Sequence, residues 1–163
     1  MSINPIIIGI DPGYDRVGVA IGQKNNDGWH LLAYQCIQTD KKAELFKRYQ
    51  EISEQLDALL EKYQVQEAGI ESLFWFKNQS TALDVSEARG VILASLFRHS
   101  VKITQYTPLQ IKQSLTGYGR ADKKAVEKMV RLELNLEESI IDDTIDALAI
   151  MICHQCSRKT NKI

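Results

Sequence analysis

The chain reads as an α/β domain built on a mixed sheet, and three observations predict it. Two β-branched runs flank a Pro-Gly turn near the start, the signature of an antiparallel pair. Apolar residues then recur at helical spacing over residues 41–63. Beyond residue 66, short apolar runs alternate with further helical periods, the pattern of strands crossing over through helices. At 163 residues this is a single domain by size, assigned to 1–156 with a polar C-terminal tail over 157–163.

Each element follows from local chemistry. Residues 6–11 and 17–22 form the first two strands, joined at Pro12-Gly13-Tyr14-Asp15. The polar run Lys24-Asn25-Asn26-Asp27-Gly28 is a plain hairpin loop leading into a third strand, Trp29 to Thr39. A long helix spans about Lys41 to Tyr63, with Leu45, Tyr49, Ile52, Leu56, Leu59, Leu60 and Tyr63 on its apolar face. Gln66 to Glu71 returns as a strand, and a helix follows from about Ser80 to Phe97. Val101 to Tyr106 is a short strand. Two amphipathic helices, near Pro108–Leu115 and Lys123–Leu134, are separated by Thr116-Gly117-Tyr118-Gly119. A last helix runs from about Asp142 to Cys156, and Ser157 onward is expected to fray. No internal repeat or low-complexity segment interrupts this order.

Composition excludes several classes. No apolar run reaches membrane-spanning length, and Met1-Ser2-Ile3-Asn4-Pro5 lacks a basic region and cleavage site, so a cytoplasmic protein without a membrane partner is expected. Three cysteines argue against a disulfide framework. Cys153-His154-Gln155-Cys156 has a CxxC spacing, but a structural zinc site needs about four ligands and no second cluster exists. These are read as ordinary residues near a helix end. A net charge of −1 hides a local basic strip: Lys112, Arg120, Lys123, Lys124, Lys128 and Arg131 face only Asp122 and Glu127 in the same stretch. Such a strip is either a solvated helix face or a phosphate-binding surface.

Four carboxylates carry the chemistry. Asp11 ends the first strand before a proline, which biases its predecessor to extended geometry and cannot continue the ladder. Glu71 ends another apolar strand. Asp143 and Asp146, three apart, share one face of the last helix, while Asp142 points elsewhere and acts as a helper or cap. Acids at such places are costly to desolvate without a cation, and none is evident beside them in sequence. Hard oxygen donors without His or Cys suit Mg²⁺ or Mn²⁺ better than zinc. Two such ions about 3.5–4 Å apart can activate water and stabilise a leaving oxygen. The competing reading is that each acid is a cap or turn residue.

Three blocks carry a resemblance. Gly9-Ile10-Asp11-Pro12-Gly13 with Gly18-Val19-Ala20 resembles the opening of the RuvC Holliday-junction resolvases. Ile70-Glu71-Ser72-Leu73-Phe74-Trp75-Phe76-Lys77-Asn78, with Ala88-Arg89-Gly90, resembles their second block, and Asp143-Thr144-Ile145-Asp146-Ala147-Leu148-Ala149 their third. The resemblance implies a ribonuclease-H-like fold and a homodimer that nicks opposing strands of four-way junction DNA. It implies two Mg²⁺ ions (or Mn²⁺) per site, held by Asp11, Glu71, Asp143 and Asp146 as catalytic acids. It implies that Phe74 stacks on junction bases, and that Lys112 and Lys123, or Lys124 by a one-residue ambiguity, bind DNA. Arg89 and Gly90 match a segment forming the family's dimer contact, and the RuvA–RuvB branch-migration complex is an implied partner.

Other readings compete. A phage-like relative of the same family would cut branched DNA with little sequence preference. A non-cleaving junction-binding module would not need four acids facing a polyanion. The Asp11-Pro12-Gly13 turn also occurs in actin-like ATPases, but those need two related domains, and this chain shows no duplication.

Overall fold

A computed structural model describes residues 4–73 and 82–160, and its element order is the expected one. Three antiparallel strands come first: β1 (Ile7–Asp11), β2 (Arg16–Asn25) and β3 (Gly28–Gln38). Helix α1 (Leu45–Tyr63) leads to β4 (Glu67–Glu71), and α2 (Ala82–Arg98) to β5 (Lys102–Tyr106). Three helices close the chain: α3 (Pro108–Thr116), α4 (Lys123–Leu134) and α5 (Asp142–Thr160). The sheet order is β3-β2-β1-β4-β5, with β4 parallel to both β1 and β5. No helix among the described residues is long and apolar enough to cross a membrane.

The period-two alternation of the strands sorts the sheet into two faces. Ile8, Ile10, Val17, Val19, Ile21, Ala68 and Ile70 pack against α1 and α2 in one core. The alternate positions, Gly9, Asp11, Gly18, Ala20, Gly69 and Glu71, therefore point to the opposite face, where α3, α4 and α5 lie over Ile7 and Ala20. Small residues there let the α5 backbone sit almost on the sheet. A Cβ built at Gly18 would stand 1.9 Å from the Asp143 carbonyl oxygen, and one at Gly9 2.2 Å from that of Ala147.

Three boundaries differ from expectation, each for a local reason. Helix α1 starts at Leu45 rather than Lys41, because the Asp40 side chain accepts from Lys42 N–H (2.9 Å) and its carbonyl from Ala43 N–H (3.0 Å). That aspartate turn competes with the helix for the same backbone groups. The hairpin is tighter than the predicted loop: the ladder runs to Asn25 opposite Gly28, whose φ of 124° only glycine adopts readily. The tail expected to fray from Ser157 is helical through Thr160; the Ser157 hydroxyl donates to the Cys153 carbonyl, and Arg158 pairs with Glu67 on β4.

Caps at the shorter helices follow the sequence closely. Thr107 and Gln110 form a capping box with Pro108 at the first turn of α3, and Gly117 closes it in the left-handed region. Asp122 accepts from Ala125 N–H to start α4, and Asn135 ends it. These caps decide the phase of α3 and α4, and so which of their lysines face α5.

A buried arginine ties down the turn that carries Asp11. Arg48 of α1, 6% exposed, donates to Thr39 Oγ1 (3.0 Å) and the Tyr14 carbonyl (3.0 Å), pairs with the Asp15 carboxylate, and lies 4.9 Å from the Tyr14 ring. A charge buried this deeply is tolerated because its donors are used. The result is a rigid connection between the end of β3, the start of α1 and the Pro12–Asp15 turn.

Candidate active site

Strand geometry brings Asp11 and Glu71 together. Ile10 is paired with Ile70 across the parallel β1–β4 ladder, so the next residues on both strands emerge side by side at the C-terminal rim, on the α5 face. The first turns of α5 carry Asp143 and Asp146 over the same rim, since Asp143 rests on Gly18, which is itself paired with Asp11. Asp146, Glu71, Lys112 and Lys123 line one open cleft of about 330 Å³, floored by apolar residues such as Ile111, Val126 and Ile150.

Electrostatics record the crowding. Asp11 has its pKa pushed up to about 8, first by burial and then by Glu71, Asp146 and Asp143, with Lys123 opposing. Glu71 is raised by burial and by Asp146, against Lys112 and Lys123. Asp146 is also raised, by burial and by Asp142 and Asp143, although Lys123 pulls the other way. Burial alone would lower Lys123, but Asp146 and Asp142 hold it above the usual lysine value.

Contrary to the expectation from sequence, two of the four carboxylates, Asp143 and Asp146, have cations beside them. Lys123 Nζ lies 3.1 Å from Asp146 and 3.3 Å from Asp142. Arg16, the first residue of β2, places Nη1 3.2 Å from Asp143 Oδ2. Asp142 is far more exposed than Asp143, 75% against 26%, and its partner is Lys123. Among the described residues, no three His, Cys, Asp or Glu side chains are grouped to hold a metal ion. Arg16 and Lys123 each take a carboxylate oxygen that a metal would otherwise use. The donor set itself fits a hard divalent cation: four carboxylates, three of them held reluctant to ionise by burial and by one another.

The remaining expected site residues are placed as follows. Lys112, on α3, reaches the acid cleft; Lys124 does not, and instead lines a groove on another face of α4 with Lys128 and Arg131. One residue is about 100° of helix turn, which separates Lys123 from Lys124. Arg89 donates to Gln105 of β5 at 2.6 Å, while Gly90 is open to solvent. Phe74 lies outside the described residues.

A family model, crossover junction endodeoxyribonuclease RuvC, matches residues 7–154. The chain belongs to the RuvC family. The RuvC of Petrotoga mobilis is 46% identical over 158 residues, covering 96% of this chain and 97% of that one. The RuvC of Thermosipho melanesiensis is 43% identical over 148 residues, covering 90% and 94% respectively. A solved structure, T. thermophilus RuvC in complex with Holliday junction substrate, agrees with a TM-score of 0.90 at 28% identity and covers 96% of each chain. The ribonuclease-H-like mixed sheet expected from the three sequence blocks is thus the fold of this RuvC-family chain.

Two residues of this RuvC-family site escaped the sequence reading. Arg16 stands in no motif block, and its only sequence signal is a lone cation just after the Asp11 turn. Arg48 sits inside an amphipathic helix, where a solvated lysine or arginine is ordinary; its bonds to Tyr14 and Asp15 span 34 and 33 residues.

Proposed function

We propose that the protein is a structure-selective endodeoxyribonuclease that resolves four-way DNA junctions by paired nicks, acting in the cytoplasm with its DNA. The observation that supports this most is the convergence of Asp11, Glu71, Asp143 and Asp146 on one rim beside Lys112 and Lys123, in a RuvC-family fold. Asp11, Glu71, Asp143 and Asp146 would hold two Mg²⁺ or Mn²⁺ ions. When bound, these ions supply activation of a water and charge stabilisation of the leaving oxygen. Lys112 and Lys123 bind the scissile strand through its phosphate oxygens. Hydrolysis forms a new P–O bond from water and breaks the bond to the 3′ oxygen, leaving 5′-phosphate and 3′-hydroxyl ends.

The test is a cleavage assay on a labelled synthetic junction with Mg²⁺ or Mn²⁺, repeated over a panel of core sequences. Symmetric nicks bearing 5′-phosphates are expected. Binding without nicking in either metal would indicate a junction-binding module, and equal cutting of every core would indicate a relative with little sequence preference.

Paired nicking needs two sites, and α2 offers the surface to join them. Leu83, Gly90 and Phe97 recur every seven residues, which places them on one helical stripe. Leu83 is 70% and Phe97 67% exposed, and a Cβ at Gly90 would meet nothing within 4 Å. Two such stripes packed about a twofold axis bury the apolar ends and let the helices approach at the glycine. Arg89 is engaged by Gln105 of its own chain, so the apolar stripe carries the contact. In analytical ultracentrifugation the protein should sediment as a dimer and the double variant Leu83→Glu/Phe97→Glu as a monomer. That variant should also lose coupled nicking of the two strands. A wild-type monomer at micromolar concentration would refute the arrangement.

A further inference from the structure

Cations bracket the acid rim from two sides, and they are not equivalent. Lys123 bridges Asp142 and Asp146 from the α4 side. Arg16 approaches from the opposite flank and touches Asp143 alone, through one nitrogen at 3.2 Å. It opens β2, paired with Gln38 of β3, directly after the turn that Arg48 holds in place. Alternation along β2 sends Val17, Val19 and Ile21 into the α1–α2 core and leaves Arg16 on the α5 face with Gly18. Its side chain is 52% exposed, and Asp143 is its sole ion-pair partner among the described residues.

A half-exposed, single-point ion pair contributes little and is easily exchanged. A divalent cation competes for the same carboxylate with twice the charge and a smaller radius. The guanidinium, once released, stays charged and keeps a planar fork of donors suited to phosphate oxygens. We propose that Arg16 is an exchangeable counter-ion for Asp143: it neutralises that carboxylate until a divalent ion takes it, then binds a backbone phosphate of the DNA strand entering the cleft. Arg16 thereby keeps the acid rim from repelling DNA at either stage, and it couples metal occupancy to DNA grip. This rests on the reading of Asp143 as a metal ligand.

The test uses the full chain with Arg16→Gln and, as a separate arm, Asp143→Asn. Mn²⁺ affinity is measured calorimetrically without DNA at constant ionic strength. Junction affinity is measured by fluorescence anisotropy in Ca²⁺ over a range of salt. Arg16→Gln should bind Mn²⁺ about 3- to 5-fold more tightly, because a competitor is gone. It should bind the junction several-fold more weakly, with the salt dependence reduced by about one phosphate contact. Unchanged or weaker Mn²⁺ binding in Arg16→Gln overturns the exchange, as does an unchanged salt slope. Wild-type Mn²⁺ binding in Asp143→Asn would instead refute Asp143 as a ligand, so the two failures are separable.

Discussion

Replacing Asp11 with Asn is expected to abolish nicking while making the protein harder to melt at neutral and alkaline pH. The carboxyl ionises near its ordinary value when the chain is unfolded, but its pKa is about 8 when folded, because it is buried beside Glu71, Asp146 and Asp143. Between those values the folded state holds a proton that the unfolded state has lost. Stability from this group is therefore fully present below about pH 4, falls as pH rises toward 8, and stays low above it. Asparagine keeps the shape and never ionises. The variant should match the wild type near pH 4–5 and gain about 2 kcal/mol over it by pH 8, discounting for shared relaxation of the four acids. For a chain of this size that is a rise in Tm of about 4–8 °C. Added Mg²⁺ should close the gap by stabilising only the wild type. Nicking should fall by about a thousandfold or more, the scale of losing charge stabilisation at the reacting phosphate. A Tm difference that does not change between pH 5 and 8.5 would refute the burial argument, and retained nicking would refute the role of Asp11 in the site.

Asp11 and Glu71 were readable because both signals are local: an apolar run ending in an acid, and for Asp11 a proline that stops the ladder. The pairing of Ile10 with Ile70 then placed the acids side by side, a step that strand alternation implies but a single sequence cannot phase. The caps of α3 and α4 were likewise local. The counter-ions were not. Arg16 and Lys123 meet their carboxylates across 127 and 23 positions, and nothing in their own neighbourhoods marks them as partners. The α1 start was misplaced because Asp40 takes backbone donors that helical periodicity ignores. The helical continuation past Ser157 depends on Arg158 finding Glu67 on a distant strand.

The glycines under α5 were the other feature hidden in plain letters, and they support the second large effect. Gly18→Ala should unseat the N-terminal end of α5. The added methyl would lie 1.9 Å from the Asp143 carbonyl oxygen and 2.6 Å from its carbon, both backbone atoms that no rotamer can move away. Relief requires the N-terminal turns of α5 to lift by roughly 1 Å or more to regain ordinary contact. The cost is about 3 kcal/mol, at the upper end for overpacking because the obstacle is main chain. A fall in Tm of about 6–12 °C follows. Lifting that end of α5 also carries Asp143 and Asp146 away from Asp11 and Glu71, which remain on the sheet. A displacement of this size costs about a hundredfold in rate even when every functional group is present. Gly22→Ala is the matched control: there the His30 carbonyl oxygen lies at 3.1 Å, a few tenths of an ångström from ordinary contact, and the other neighbours are Met151 side-chain atoms at 3.2 and 3.4 Å, which can repack. It should lose about 1 kcal/mol or less. Thermal melts and junction-cleavage rates on both variants decide the matter. Near-wild-type stability and nicking in Gly18→Ala would mean that α5 does not lie as close to the sheet as the acid rim requires.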